Sequence, residues 1–224
     1  ASDALIGAAF GSAGERCMAI SVAVAVGNVA DDLIKSITPK INQIKVGPYN
    51  DKLSEMGPVV SKQALNRIKS LISSGVDDGA DLLIDGRDIK LQGYENGYFI
   101  GPCLFDNVKT NMSIYKEEIF GPVLVSTTFR TPKEACDLAN DTTYGLAASI
   151  WSENINLALG LAPKIKAGVV WINGTNMFDA AIGFGGVKES GFGREGGWDG
   201  LKSYLKHSIS FSANKAKIKQ SHSN

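Results

Sequence analysis

Histidine is nearly absent from this chain: 224 residues hold two, His207 and His222, both near the C-terminus. Cysteine is scarce as well, with Cys17, Cys103 and Cys136 far apart and no CxxC pair among them. Tetrahedral zinc sites need clustered thiolate and imidazole ligands, so no metal site is expected. The same shortage argues against a cysteine hydrolase, for which only His207 or His222 would be on hand as base. An excess of one charge is also missing, since 23 basic residues face 23 acidic ones. Nucleic-acid and anionic-membrane surfaces draw on a basic excess, so neither partner is expected. No apolar run approaches the ~20 residues that span a bilayer. An odd, sparse cysteine count fits a reducing compartment better than a disulfide framework, which points to the cytoplasm, or to the mitochondrial matrix in a eukaryote. The first residues are Ala1-Ser2-Asp3 in place of a methionine, as expected of a piece of a longer protein or of a chain that has lost a leader.

What is present alternates between two periodicities. Ala4 to Phe10 reads as a buried helix and Ile20 to Val26 as a buried strand. Asp31 to Ile44 has helical spacing interrupted by Pro39, and Ser61 to Ser74 is a helix with Ser61 as N-cap, stopped by Gly75. Strands are expected at Ala80 to Gly86, Tyr98 to Phe105, Val123 to Phe129, Ala147 to Trp151 and Val169 to Ile172. Thr131-Pro132-Lys133-Glu134 opens a helix by a capping box with proline in the first turn, and Asn154 to Lys166 is another helix. Strands alternating with helices predict an α/β fold with a largely parallel sheet covered on both faces. No repeat or low-complexity linker divides the chain, so one domain is expected over residues 1–206, with residues 207–224 as an arm and polar tail.

The chemistry centres on Cys17, within Gly11-Ser-Ala-Gly14-Glu15-Arg16-Cys17-Met18-Ala19. Glycines let the backbone bend and turn amide N–H groups toward a reacting oxygen. Arg16 beside the thiol favours the thiolate, the attacking form. Local sequence alone leaves open a buried structural cysteine.

Three further segments join this turn: Glu117-Glu118-Ile119-Phe120-Gly121-Pro122, Gly168-Val169-Val170-Trp171-Ile172-Asn173, and Phe184-Gly185-Gly186-Val187-Lys188-Glu189-Ser190-Gly191-Phe192-Gly193-Arg194-Glu195. In this order they resemble the aldehyde dehydrogenase superfamily, over its catalytic domain and C-terminal arm, roughly its second half. The resemblance implies a three-layer α/β catalytic domain without the dinucleotide-binding domain, and NAD or NADP as cofactor. It makes Cys17 the nucleophile that forms a thiohemiacetal and then a thioester from a small-molecule aldehyde. Glu118 corresponds to the glutamate that accepts hydrogen bonds from the nicotinamide ribose, and Phe120 to an aromatic packed near that ring. Phe178 and Phe184 correspond to aromatics lining the aldehyde tunnel, although Gly183 stands where a proline is usual. The oxyanion asparagine of the family lies on sequence this chain does not contain. An arm such as His207 to Ser212 would add a strand to a neighbouring subunit in a homo-oligomer of the full-length protein.

Residues 1 to about 128 are most similar to the methylmalonate (malonate) semialdehyde dehydrogenase branch, in GERCMAISVAVAVG, DGRDIKLQGYENGYFIGP and IYKEEIFGPVL. That branch passes the acyl group to coenzyme A, and Arg16 would then have a second role as partner of the substrate carboxylate. From Trp171 to Phe178 and through FGGVKESGFGREGG the chain is instead similar to hydrolytic members. Hydrolysis and coenzyme A transfer both stay open, as does an inactive assembly module, and residues 1–224 alone are expected to show no NAD-dependent turnover.

Overall fold

The computed structural model describes residues 1–206 and residue 208. Helix α1 (Ser2–Phe10) runs into a tight 3-10 turn, Gly11–Gly14, and then into strand β1 (Val22–Val26). There follow α2 (Val29–Ile41), α3 (Lys62–Asp77), β2 (Asp81–Ile84), β3 (Cys103–Asp106), the short α4 (Ser113–Lys116) and β4 (Val123–Phe129). The last third holds α5 (Pro132–Asn140), β5 (Ala147–Ile150), α6 (Ile155–Leu161), β6 (Val169–Ile172) and α7 (Gly197–Lys202).

The fold is α/β with a mostly parallel sheet, as expected. β1, β4, β3 and β2 lie side by side in that order; the first three are parallel and β2 is an antiparallel edge. β4 is flanked on both sides, and residues Val123 to Thr127 are all buried, the composition of a strand covered on both faces. Phe105, Ile37, Ile41, Ile72 and Leu124 are fully enclosed around it, each contributing roughly 1.5–3 kcal/mol by burial. β5 and β6 form a separate parallel pair, where continuous alternation had suggested one sheet.

Local signals explain most boundaries. Ser61 Oγ accepts from the Ala64 N–H at 3.1 Å, and Thr131 Oγ1 from the Glu134 N–H at 3.2 Å, two N-caps that satisfy otherwise orphaned donors. Pro39 lies inside α2, two residues before Ile41 ends the helix, where it supplies no N–H for the i−4 carbonyl; the helix stops within half a turn of that lost bond.

Gly75 does not stop α3; the helix continues to Asp77 and left-handed Gly79, at φ +89°, follows its end. Gly75 is a packing glycine, since a Cβ there would lie 2.7 Å from Ile114 Cδ1 of α4. The strand expected from Tyr98 shortens to Cys103–Asp106. Upstream, Gly101 donates its N–H to Gly86 at 2.8 Å and Pro102 has no N–H to give a ladder. The arm proposed from His207 to Ser212 lies outside the described residues apart from Ser208. Among the described residues no helix is long and apolar enough to cross a membrane.

Candidate active site

Between α1 and β1 the backbone makes a left-handed detour. Ser12, Ala13 and Gly14 have φ of 54°, 55° and 72°, a conformation that costs a non-glycine residue roughly 1–2 kcal/mol. The Glu15 N–H closes the detour on the Ser12 carbonyl at 3.0 Å, and the Ala19 N–H closes the next turn on the Arg16 carbonyl at 3.0 Å. Cys17 sits at the corner of that second turn and is exposed, whereas Cys103 and Cys136 are buried. Burial pushes the Cys103 thiol up to about 12, which leaves it inert as a nucleophile. Arg16 folds back along the detour: its Nε donates to Ser12 Oγ at 3.0 Å, and its guanidinium lies over Gly11.

The loop carrying Glu118 and Phe120 is docked against this detour. A Cβ on Gly14 would lie 2.1 Å from the Gly121 carbonyl oxygen, and one on Gly121 would lie 2.6 Å from Ile68 Cδ1 of α3. Glycine at both positions is what lets the two backbones meet with the Ile68 side chain packed against the second. Helix α3 also holds the loop by a polar contact that the sequence did not announce: Arg67 donates to the carbonyls of Glu118, at 2.5 Å, and Ile119, at 2.8 Å. Arg67 lies on the polar face of an amphipathic helix, where solvation is the ordinary expectation. Phe120 adopts φ 51° and is 40% exposed; the Glu118 side chain is exposed.

Glu15, two residues before the thiol, takes part as well. Its Oε2 accepts from the Val60 N–H at 2.9 Å, tying the cysteine loop to the residue before the α3 N-cap. Burial raises its carboxyl above the usual value, against the lowering effect of that N–H. Its Oε1 is buried with no partner among the described residues. A cavity of about 280 Å³ opens here, lined by Glu15, Ser61, Gln63, Arg67, Ile119 and Phe120 among others. An orphaned carboxyl oxygen, an exposed aromatic and the neighbouring Glu118 fit a hydroxyl-bearing, flat-ringed group such as the nicotinamide riboside end of a dinucleotide.

The aromatic pair stands in the segment that follows β6. Phe178 and Phe184 meet edge to face with centroids 5.3 Å apart, and Trp171 meets Phe178 at 6.4 Å. Left-handed Asn173 and Asn176 shape the turn after β6, and Trp171 Nε1 donates to the Met177 carbonyl at 3.0 Å. Phe184 is pinned by two reciprocal backbone bonds with Glu195, of 2.7 and 2.6 Å. Arg194 donates to the Gly186 and Gly193 carbonyls, so the glycine-rich run there serves packing. Among the described residues no cluster of metal-ligating side chains occurs.

Known proteins are similar to this chain over most of its length. The aldehyde dehydrogenase family profile matches residues 1–209. Malonate-semialdehyde dehydrogenase of Pseudomonas aeruginosa is 44% identical over 210 residues, 92% of this chain and 42% of that protein. The mitochondrial, acylating methylmalonate-semialdehyde/malonate-semialdehyde dehydrogenase of Rattus norvegicus is 43% identical over 169 residues, 75% of this chain and 31% of the relative. A protein from Sinorhizobium meliloti assigned as a methylmalonate-semialdehyde dehydrogenase, solved with NAD, superposes at a TM-score of 0.87 with 48% identity, over 90% of this chain and 42% of that one. The chain thus spans less than half the length of these relatives.

Proposed function

The chain belongs to the aldehyde dehydrogenase family, and from that membership we propose that it is the catalytic portion of an NAD(P)-dependent semialdehyde dehydrogenase with Cys17 as nucleophile. The observation that carries the proposal is the junction of Gly14 with Gly121, which docks the thiol's loop on the loop of Glu118. Cys17 Sγ, as thiolate, adds to the aldehyde carbon, and the carbonyl oxygen takes the negative charge. The dinucleotide supplies a hydride acceptor. As the C–H bond breaks, the carbonyl re-forms as a thioester on Cys17. Glu118 accepts hydrogen bonds from the ribose hydroxyls, and Phe120 packs beside the ring; both act by positioning. Phe178 and Phe184 shelter the aldehyde's apolar portion, and Arg16 meets a carboxylate on the substrate.

The acyl group then passes to an acceptor, and coenzyme A is proposed here on the strength of the acylating relative. The full-length protein would work as a homo-oligomer on a small aldehyde in the cytoplasm or mitochondrial matrix, using this domain, residues 1–206, as its scaffold. Exposed Trp198 and Tyr204, 68% and 88% accessible, support assembly through it.

The test uses the full-length enzyme with malonate and methylmalonate semialdehydes. NADH should form, and Cys17→Ser should abolish it. Mass spectrometry should find acyl-CoA when coenzyme A is present; free acid at an unchanged rate would assign hydrolysis instead. Residues 1–224 alone should form no NADH.

A further inference from the structure

We infer that Arg67 is a positioning residue for the cofactor-side carboxylate, acting through the backbone of the Glu118 loop; this rests on reading Glu118 as the ribose-binding group. The planar guanidinium spans two successive carbonyls, Glu118 at 2.5 Å and Ile119 at 2.8 Å, a use of the arginine fork that a point charge does not reproduce in full. Both bonds are charge-assisted. Arg67 makes no ion pair among the described residues, so these carbonyls are where its charge is directed.

The loop has need of such a clamp. Among the described residues, the peptide groups of Glu118, Ile119 and Phe120 make no hydrogen bonds other than those to Arg67. Phe120 holds a left-handed φ of 51°, which a bulky side chain adopts only when its surroundings impose it. The neighbouring residue on the helix, Ile68, packs on Gly121, and Ile119 is buried, with 2% exposure. α3 therefore fixes the loop by packing at Ile119 and Gly121 and by hydrogen bonds at Glu118 and Ile119. Removing only the guanidinium leaves the packing and frees the peptide plane that aims the Glu118 carboxylate. The loss should appear in cofactor binding and not in the reactivity of the thiol.

In the full-length enzyme, Arg67→Ala is expected to raise both the KM and the calorimetric Kd for NAD about tenfold, the order of one hydrogen bond to a charged group. The aldehyde KM and the iodoacetamide labelling rate of Cys17 should not change. Arg67→Lys, which keeps a charged donor, should recover most of the loss. A role limited to holding the fold would lower the melting temperature, move both KM values together and gain nothing from lysine; that result overturns the inference. Glu118→Gln separates the two levels. Unchanged NAD binding in Glu118→Gln sinks the ribose reading and Arg67 with it, whereas weakened binding there with normal binding in Arg67→Ala sinks Arg67 alone. On the Glu118→Gln background, Arg67→Ala should add less than about twofold if both act through one contact; a further tenfold loss would show independent roles. Where Arg67→Ala does not fold, Arg67→Gln, which keeps an amide donor, is read by the same outcomes.

Discussion

Gly14 approaches Gly121 so closely that a Cβ on Gly14 would stand 2.1 Å from the Gly121 carbonyl oxygen. One residue lies three positions before the thiol and the other three after the proposed cofactor carboxylate, so this contact sets the spacing of the two halves of the chemistry. Helix α3 braces it from two places, through Ile68 on Gly121 and through Val60, just ahead of its cap, on Glu15.

Gly14→Ala should therefore be among the most damaging small substitutions in the chain. It places a side chain at φ +72° and against a backbone oxygen that cannot retreat without moving the Glu118 loop. A loss of about 2–4 kcal/mol is expected from the left-handed strain and the overlap together. Urea denaturation measures it, and a midpoint within error of the parent would mean that the two loops are not docked as described.

The three thiols should separate cleanly in reactivity. Cys17 is exposed at a turn corner, while Cys103 is buried, accepts from the Gly86 N–H at 3.2 Å and has its thiol pushed up to about 12. Brief iodoacetamide treatment near neutral pH, followed by peptide mass spectrometry, should find Cys17 alkylated first and Cys103 last. Equal labelling of Cys17 and Cys136 would remove the case for a privileged thiol.

The sequence disclosed the helices with strong caps, Ser61 and Thr131, because a side-chain oxygen three residues ahead of a free N–H is a local signal. Motifs pointed to Cys17, Glu118, Phe120, Phe178 and Phe184, and the structure brings the loops that carry the first three together through one backbone contact and the rings of the last two together by packing. What stayed hidden was long-range. Nothing in the neighbourhood of Arg67 tells that its charge ends on carbonyls 51 and 52 positions away. Gly75 reads as a stop because a glycine looks the same whether it ends a helix or admits Ile114. The pairing of β5 with β6 apart from the main sheet is likewise a matter of partners, which alternation does not encode.

Glu15 makes stability depend on pH. Burial holds its proton more firmly in the folded chain than in the unfolded one, raising its carboxyl above the ordinary 4.5. A raised value stabilises the fold fully below the unfolded value, and that contribution is lost as pH rises through the folded one. Glu15→Gln keeps an acceptor for the Val60 N–H and has no proton to lose. Its denaturation midpoint relative to the parent should accordingly climb as pH is taken upward from about 4.5, then level off. A gap that narrows with rising pH would contradict the burial of this carboxyl.

Arg16 offers the sharpest test of substrate class, because its removal should matter only to aldehydes that carry a carboxylate. Its Nε is held by Ser12 Oγ at 3.0 Å, which leaves the two terminal nitrogens to pair with an anion in the bidentate manner that arginine favours. In the full-length enzyme, Arg16→Ala should raise the KM for malonate semialdehyde by about ten- to a hundredfold, the range for one hydrogen-bonded charge. The KM for an uncharged aldehyde of similar length should stay within about twofold, and Ser12→Ala should give a smaller loss of the same selectivity by releasing the guanidinium. Steady-state kinetics with the two aldehydes decides the matter. An equal loss for both would make Arg16 a support of the cysteine turn and move the recognition of a carboxylate elsewhere.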